Sequence, residues 1–227
     1  EGLQLMMNRM QETAVEYGMK INTKKTKVMK ISKQPGEKFA IFLDNIQLSQ
    51  VTHFSYLGSL LTEDGYCENE IKCRIARAKE AFSLRKELLT KSFNLTLKKK
   101  IIKTVIWSTL LYGAETWTIR MEERRRLESC EMWLWRKMLG ILWSDKISNE
   151  EVLRRVGEER ILMEIIQRRQ RTWIGHTLRH GDLLVVMIEG RIEGKRPLGR
   201  KRISMLDQIK DGAPYSHFKR RAMDRML

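Results

Sequence analysis

Leu3, Met6, Met7, Met10, Ala14 and Tyr17 recur at steps of three and four residues, which predicts an opening helix with one apolar face. Gly18 stands where a left-handed C-cap residue belongs. After it the hydrophobic period shortens. MKI, KVMKIS, FAIFLD and IQLSQV predict short strands, and Asp44-Asn45 supplies a tight turn between the last two. THFSYLGSLLT continues the extended pattern until Glu63-Asp64-Gly65 interrupts it.

Beyond Gly65 the period is that of helices. Ile71, Ile75, Ala78 and Phe82 set the stripe of a long helix running to about Leu89. Leu97, Ile101, Val105, Thr109 and Tyr112 set the next, ending at Gly113, and Leu127, Cys130, Leu134 and Met138 a third, ending at Gly140. Ser148 with Glu151 makes a capping box for a short fourth helix. Leu162, Ile165, Ile166, Arg169 and Trp173 carry a fifth, stopped by Gly181. LLVVMI (183–188) predicts a strand or a buried extended segment. The interrupted basic loop GKRPLGRKR follows, then a short helix over 203–209 and a basic tail. There is no internal repeat. The expected fold class is α+β, mostly α: a small antiparallel part over 1–65, a helical bundle over 66–145 and a basic helical region over 146–227.

Charge changes this picture more than composition does. Hydrophobic residues make up 42% of the 227, enough for a core, yet 44 basic against 28 acidic residues leave a formal charge of +16. Such an excess repels itself and favours a polyanionic partner, nucleic acid first and an anionic membrane surface second. Three cysteines (Cys67, Cys73, Cys130) form neither a disulfide framework nor a CxxC pair, so an intracellular protein, nuclear or cytoplasmic and not secreted, is expected. No apolar run approaches a membrane span, and no membrane partner is expected. The chain opens at Glu1 rather than at a methionine, which leads us to expect a segment of something longer.

Five stretches, in this order, resemble the C-terminal half of a non-LTR (LINE-type) retrotransposon reverse transcriptase: YGMKINTKKTKVM, HFSYLGSLLTEDG, LLYGAETW, RRQRTWIGHTLRH and GKRPLGRKRISMLDQI. The resemblance implies the end of a polymerase palm over 1–65, a thumb over 66–145 and a nucleic-acid-binding region over 146–227. It implies template–primer RNA and DNA as partners, together with the upstream half of the same polyprotein. Polymerases of this kind place a tyrosine-x-Asp-Asp loop before the opening helix. The seven aspartates here (Asp44, Asp64, Asp145, Asp182, Asp207, Asp211, Asp224) are scattered, with no adjacent pair. Two-metal phosphoryl transfer needs carboxylates holding ions roughly 3.5–4 Å apart. The expectation is therefore that no cofactor is held by this chain, that Mg2+ would need upstream carboxylates, and that no complete catalytic set is present.

Lys24, Lys25, Lys27 and Lys30 follow the helix–turn–strand corner closely. The resemblance assigns to Lys25, in the pattern Asn22-x-x-Lys25-Thr26, the protonation of leaving pyrophosphate, a task suited to an ammonium. The plain alternative is a solvated edge strand whose lysines oppose aggregation. Phe54, Tyr56, Leu57 and Gly58 match the hairpin that grips the primer strand; an ordinary amphipathic strand is the alternative. Lys98, Lys99, Lys100 and Lys103 head a helix whose basic side suits a duplex groove or simply solvent. Of the six tryptophans, Trp107, Trp117, Trp133 and Trp143 are expected in the core. Trp135 and Trp173, beside Arg136 and Arg168, Arg169 and Arg171, are the candidates for base stacking. His176 and His180 lie one helical turn apart, but nothing completes a metal site around them. Lys195, Arg196, Arg200, Lys201 and Arg202 are expected to form a phosphate-contacting loop, with a solvated basic linker as the alternative. Family members carry Gly-Arg-Pro there, where this chain reads Gly199-Arg200-Lys201. A basic helical module that binds nucleic acid or protein without any polymerase ancestry is the competing reading.

Overall fold

Gly18, at φ +67°, ends the first helix, α1 (Gly2–Glu16), with its N–H on Val15 O at 2.9 Å and that of Met19 on Ala14 O at 2.7 Å. The computed structural model describes residues 2–32, 36–91, 93–181, 183–189, 204–210 and 212–224. It divides into two compact units, Glu1–Glu70 and Ile71–Leu227.

In the first unit the face of α1 that meets the sheet is not the expected apolar one. The Gln4 amide donates to Phe42 O and accepts from Phe42 N–H, both at 2.8 Å, and so replaces a missing strand partner. The Gln11 amide hydrogen-bonds Asp44 Oδ1. Met7 reaches the small core of Val28, Ile41, Leu43 and Leu48. Leu3, Met6, Met10 and Tyr17 face outward and are exposed. The expected stripe is thus split, because the unpaired backbone of Phe42 needs a polar side chain opposite it.

The expected strands shrink to pairs of residues. They are β1 (Lys27–Val28), β2 (Phe42–Leu43), β3 (Ile46–Gln47) and β4 (Ser49–Gln50), and MKI forms none. Asp44 (φ 50°) and Asn45 (φ 60°) make the predicted tight turn, pairing Leu43 with Ile46. β1 and β4 pair in parallel, Lys27 with Ser49, where an antiparallel partner was expected. The intervening β2–β3 hairpin reverses the chain, so β4 re-enters beside β1 in the same direction. β5 (His53–Tyr56) and β6 (Ser59–Thr62) form an antiparallel hairpin in register from His53↔Thr62 to Tyr56↔Ser59. The fold class is α+β and mostly α.

The second unit is helical. The helix expected to reach Leu89 breaks at Arg85 into α2 (Glu68–Leu84) and α3 (Lys86–Thr90). Asn94 caps α4 (Leu95–Ile101) by accepting Leu97 N–H at 2.8 Å. The same helix widens into a π turn over Ile102–Ile106 before α5 (Trp107–Leu110). That widening coincides with a crowded β-branched run and turns both Ile102 and Ile106 inward. α6 (Met121–Leu139) ends at Gly140, and Ser148 caps α7 (Asn149–Val156) with its hydroxyl on Glu151 N–H at 3.2 Å. α8 (Leu162–His180) ends at Gly181.

The segment LLVVMI is a helix, α9 (Leu183–Ile188), not a strand. Only Val185 of it is fully buried, in a cluster with Ile174, Leu178, Ile209, Phe218 and Ala222. A single anchoring residue suits a helical turn against a neighbour, whereas a strand would need a paired backbone. α10 (Met205–Ile209) matches the expected short helix, and the expected basic tail contains α11 (Tyr215–Met223). α11 lies on α8, with Arg179 Nη1 donating to Ala222 O at 2.6 Å. Among the described residues, no helix is long and apolar enough to cross a membrane.

Candidate nucleic-acid interface

The pattern Asn22-x-x-Lys25-Thr26 folds as a self-contained Asx turn. Asn22 Oδ1 accepts Lys25 N–H at 3.1 Å, and Asn22 O accepts Thr26 N–H and Thr26 Oγ1–H, each at 2.9 Å. Asn22 and Thr26 therefore shape the turn. Lys24, Lys25 and Lys27 display their ammoniums in solvent, while Val28 turns inward beside Lys27. Lys30 is drawn aside by Glu37 at 2.5 Å.

The β5–β6 hairpin has an unusual outward presentation. All four residues of β5 are exposed, and the tip residue Leu57 is 75% exposed in a left-handed conformation (φ 48°). That conformation costs a side-chain-bearing residue about 1–2 kcal/mol. Gly58 (φ 83°) completes the turn without such a cost. Near its tip the hairpin is held by Leu60 N–H on Glu70 Oε2 at 2.7 Å, and at its base by Thr62 Oγ1–H on Asp64 Oδ1 at 2.6 Å.

In the helical unit the lysine row divides. Lys99 Nζ reaches Glu158 Oε1 at 3.2 Å and also donates to Val156 O at 3.1 Å and Gly157 O at 3.4 Å, the carbonyls that end α7. Lys103 Nζ lies 2.8 Å from Glu158 Oε2 and 6.0 Å from the Trp107 ring centre. Burial works against the Glu158 carboxylate. Hydrogen bonds from Lys103 and Lys99 outweigh it and hold the pKa below the ordinary value. These two lysines brace α4 and its π turn against α7. Lys100 is exposed and Lys98 half-buried, and neither ammonium has a hydrogen-bond or salt-bridge partner among the described residues.

The arginines of α8 divide likewise. Arg169 Nη1 donates to Leu111 O at 3.1 Å and sits 3.7 Å from Glu115. Buried Gln170 donates to Ala114 O at 3.1 Å and Trp117 O at 2.8 Å. LLYGAETW is thereby the seat on which α8 rests. Arg168 is exposed and Arg171 half-buried. Lys195, Arg196, Arg200, Lys201 and Arg202 lie outside the described residues.

The tryptophans correct the expectation drawn from their neighbours. Trp135 is fully buried, edge-on to Trp107 at 5.9 Å, and among the described residues neither buried indole N–H finds a hydrogen-bond partner. Trp173 is half-buried against the Ile174–Phe218 cluster. The arginines that suggested exposure turn elsewhere: Arg136 to Ile147 O at 2.6 Å and Asn149 Oδ1 at 2.9 Å, Arg169 to Leu111. Trp143, expected in the core, is 92% exposed. The available signal was its position outside every helical stripe, between Gly140 and the Ser148 cap.

The His176 and His180 rings stack at 4.1 Å, with His180 Nδ1 2.8 Å from His176 O. Among the described residues no three His, Cys, Asp or Glu side chains gather as a metal site would need. Burial pushes the Cys130 thiol up to about 11, which keeps it protonated and unreactive at neutral pH.

No family model and no solved structure matches the chain. Over 213 residues it is 25% identical to an uncharacterized transposon-derived protein of Caenorhabditis elegans, a match that covers 90% of this chain and 76% of that protein. The chain is thus similar, along most of its length, to a protein of transposon origin.

Proposed function

We propose that the chain is the end of the palm and the thumb of a non-LTR retrotransposon reverse transcriptase. In this reading it binds template–primer RNA and DNA and leaves the two-metal carboxylates to another part of the polyprotein. The observation that carries it is the β5–β6 hairpin. An ordinary amphipathic hairpin buries one face, but this one holds Phe54, Tyr56 and a strained Leu57 in solvent at the place where the resemblance puts the primer grip. Large apolar groups kept in water on a strained tip call for a partner. Lys24, Lys25 and Lys27 supply phosphate contacts from the same unit, and Lys98, Lys100, Arg168 and Arg171 from the helical unit. Lys25 acts as a proton donor to pyrophosphate only where Mg2+ and its carboxylates are provided from elsewhere.

A test follows from the exposure of Tyr56. Tyr56→Ala leaves the melting curve unchanged and weakens binding to a recessed primer–template junction about fivefold, an effect of about 1 kcal/mol. Binding to blunt duplex stays within error. An equal loss on both substrates would speak against a primer-gripping hairpin. The outward Leu3, Met6, Met10 and Tyr17 of α1 favour a second reading, a basic module that docks on protein. Such a module has no reason to prefer a junction.

A further inference from the structure

Along α6 two shallow depressions of about 490 and 560 Å³ share Arg125, Ser129 and Trp133 and so form one trough. We propose that this trough binds single-stranded nucleic acid, with Trp143 at one end as the stacking platform for a base. The inference rests on the nucleic-acid reading above and adds a site to it.

Three observations carry it. The first is charge. Lys72, Lys79, Arg125, Arg126, Arg136 and Arg160 line the trough against two glutamates, Glu122 and Glu128. Both glutamates are already neutralised, by Arg126 at 3.1 Å and by Arg124 at 2.8 Å. Arg125 has no hydrogen-bond or salt-bridge partner for its side chain among the described residues, and exposed Arg160, which acts on Glu131 and Glu150 through its charge, adds a second guanidinium within reach of phosphate.

The second is the way Trp143 is displayed. It stands on a 3-10 turn, Trp143–Asp145, that closes on itself: Asp145 Oδ2 accepts Leu142 N–H at 2.8 Å, and Lys146 ends the turn at φ 51°. Asn149 beside it is fixed by Arg136. The backbone that carries the indole is therefore ordered, and the ring itself is 92% exposed. Trp133, by contrast, is occupied, with Lys79 5.2 Å from its ring centre and Phe82 edge-on at 5.4 Å. The trough thus offers one free aromatic face among cations.

The third is the match of chemistry. A base stacks on an indole face only after leaving its own stack, which a single strand offers and a duplex does not. Phosphates on either side of that base meet Arg125 and Arg160. An acidic peptide without aromatic side chains would satisfy the charges but brings no ring for Trp143.

The test uses the whole chain and fluorescently labelled pyrimidine oligonucleotides of about ten nucleotides, a length within single-strand site sizes. Trp143→Ala should bind the oligonucleotide about tenfold more weakly, Trp143→Phe should recover most of the loss, and binding to blunt duplex should change less than about twofold. An abasic strand of equal length should bind wild type and Trp143→Ala alike. Unchanged circular dichroism of both variants shows that the fold is intact, as the exposure of Trp143 leads one to expect. Wild-type affinity in Trp143→Ala, with duplex still bound, overturns the trough and leaves the broader reading standing. A polyglutamate peptide that competes as well as the oligonucleotide at equal charge overturns it in favour of a protein ligand. A wild-type chain that binds neither strand nor duplex overturns both.

Discussion

Trp135→Ala should lower the unfolding free energy of the helical unit by about 3–5 kcal/mol. Trp135 is completely buried and packs edge-on against Trp107 at 5.9 Å. Truncation removes the transfer energy of a large aromatic and leaves a cavity beside the Trp107 ring. One term opposes this. The Trp135 indole N–H is buried without a partner among the described residues, and removing an unsatisfied donor recovers about 1–3 kcal/mol of its desolvation cost. The loss should therefore fall toward the lower end of the range, and Trp135→Phe, which keeps an aromatic ring and removes the donor, should cost much less. Denaturant unfolding followed by far-UV circular dichroism measures both. Trp143→Ala is the internal control, with a change within about 0.5 kcal/mol because its ring touches solvent. If Trp135→Ala cost no more than Trp143→Ala, the division between core and displayed tryptophans would be wrong.

Raising the pH from about 4.5 to 7 should destabilise the helical unit through one residue, Glu131. Its side chain is 1% exposed, and burial pushes its pKa up to about 7. The N–H groups of Ile161 and Leu162 and the charge of Arg160 pull the other way without cancelling that effect. The unfolded chain releases this proton near the ordinary value of 4.5. Between the two values the folded state binds more protons than the unfolded state, so stability falls as pH rises. The contribution is fully present below about 4.5 and gone above about 7. At about 1.4 kcal/mol per pH unit the gap amounts to about 3 kcal/mol. Glu131→Gln keeps a neutral acceptor for Ile161 N–H and has nothing to ionise. Its stability relative to wild type should be near zero at pH 4 and rise by about 3 kcal/mol by pH 8. Other carboxylates, among them Glu158 with its lowered pKa, titrate equally in both proteins and cancel in the difference. Parallel stability curves for the two proteins would show that Glu131 ionises normally.

Much of the fold was legible because its signals are local. Gly18, the Asp44-Asn45 turn, the Ser148 cap and the helix-ending Gly113, Gly140 and Gly181 each satisfy a backbone demand within a few residues. What was illegible is set by distance or by direction. LLVVMI is apolar throughout and so carries no period, and its helical form depends on where Val185 finds a pocket. The stripe of Tyr215, Phe218 and Ala222 in α11 is masked by Lys219, Arg220 and Arg221. The apolar face of α1 gave way to Gln4 because an unpaired strand lay opposite it. At the candidate sites, composition showed that cations were plentiful but not which were engaged. Lys99 and Lys103 meet Glu158, more than fifty residues away, and Arg169 meets a carbonyl 58 residues away. Neighbouring arginines made Trp135 look exposed, whereas Trp143, with no basic neighbour before Lys146, is the tryptophan displayed beside the basic trough.

On the proposed function this chain grips a primer end rather than merely attracting polyanions. Competition binding between a recessed primer–template junction and a blunt duplex of equal length and charge, at a fixed salt concentration, tests it most directly. A primer-gripping palm and thumb should favour the junction by about tenfold, corresponding to about 1.4 kcal/mol of contact that charge alone does not supply. Equal affinity for the two, with both falling alike as salt rises, would contradict the claim and leave a generic basic module.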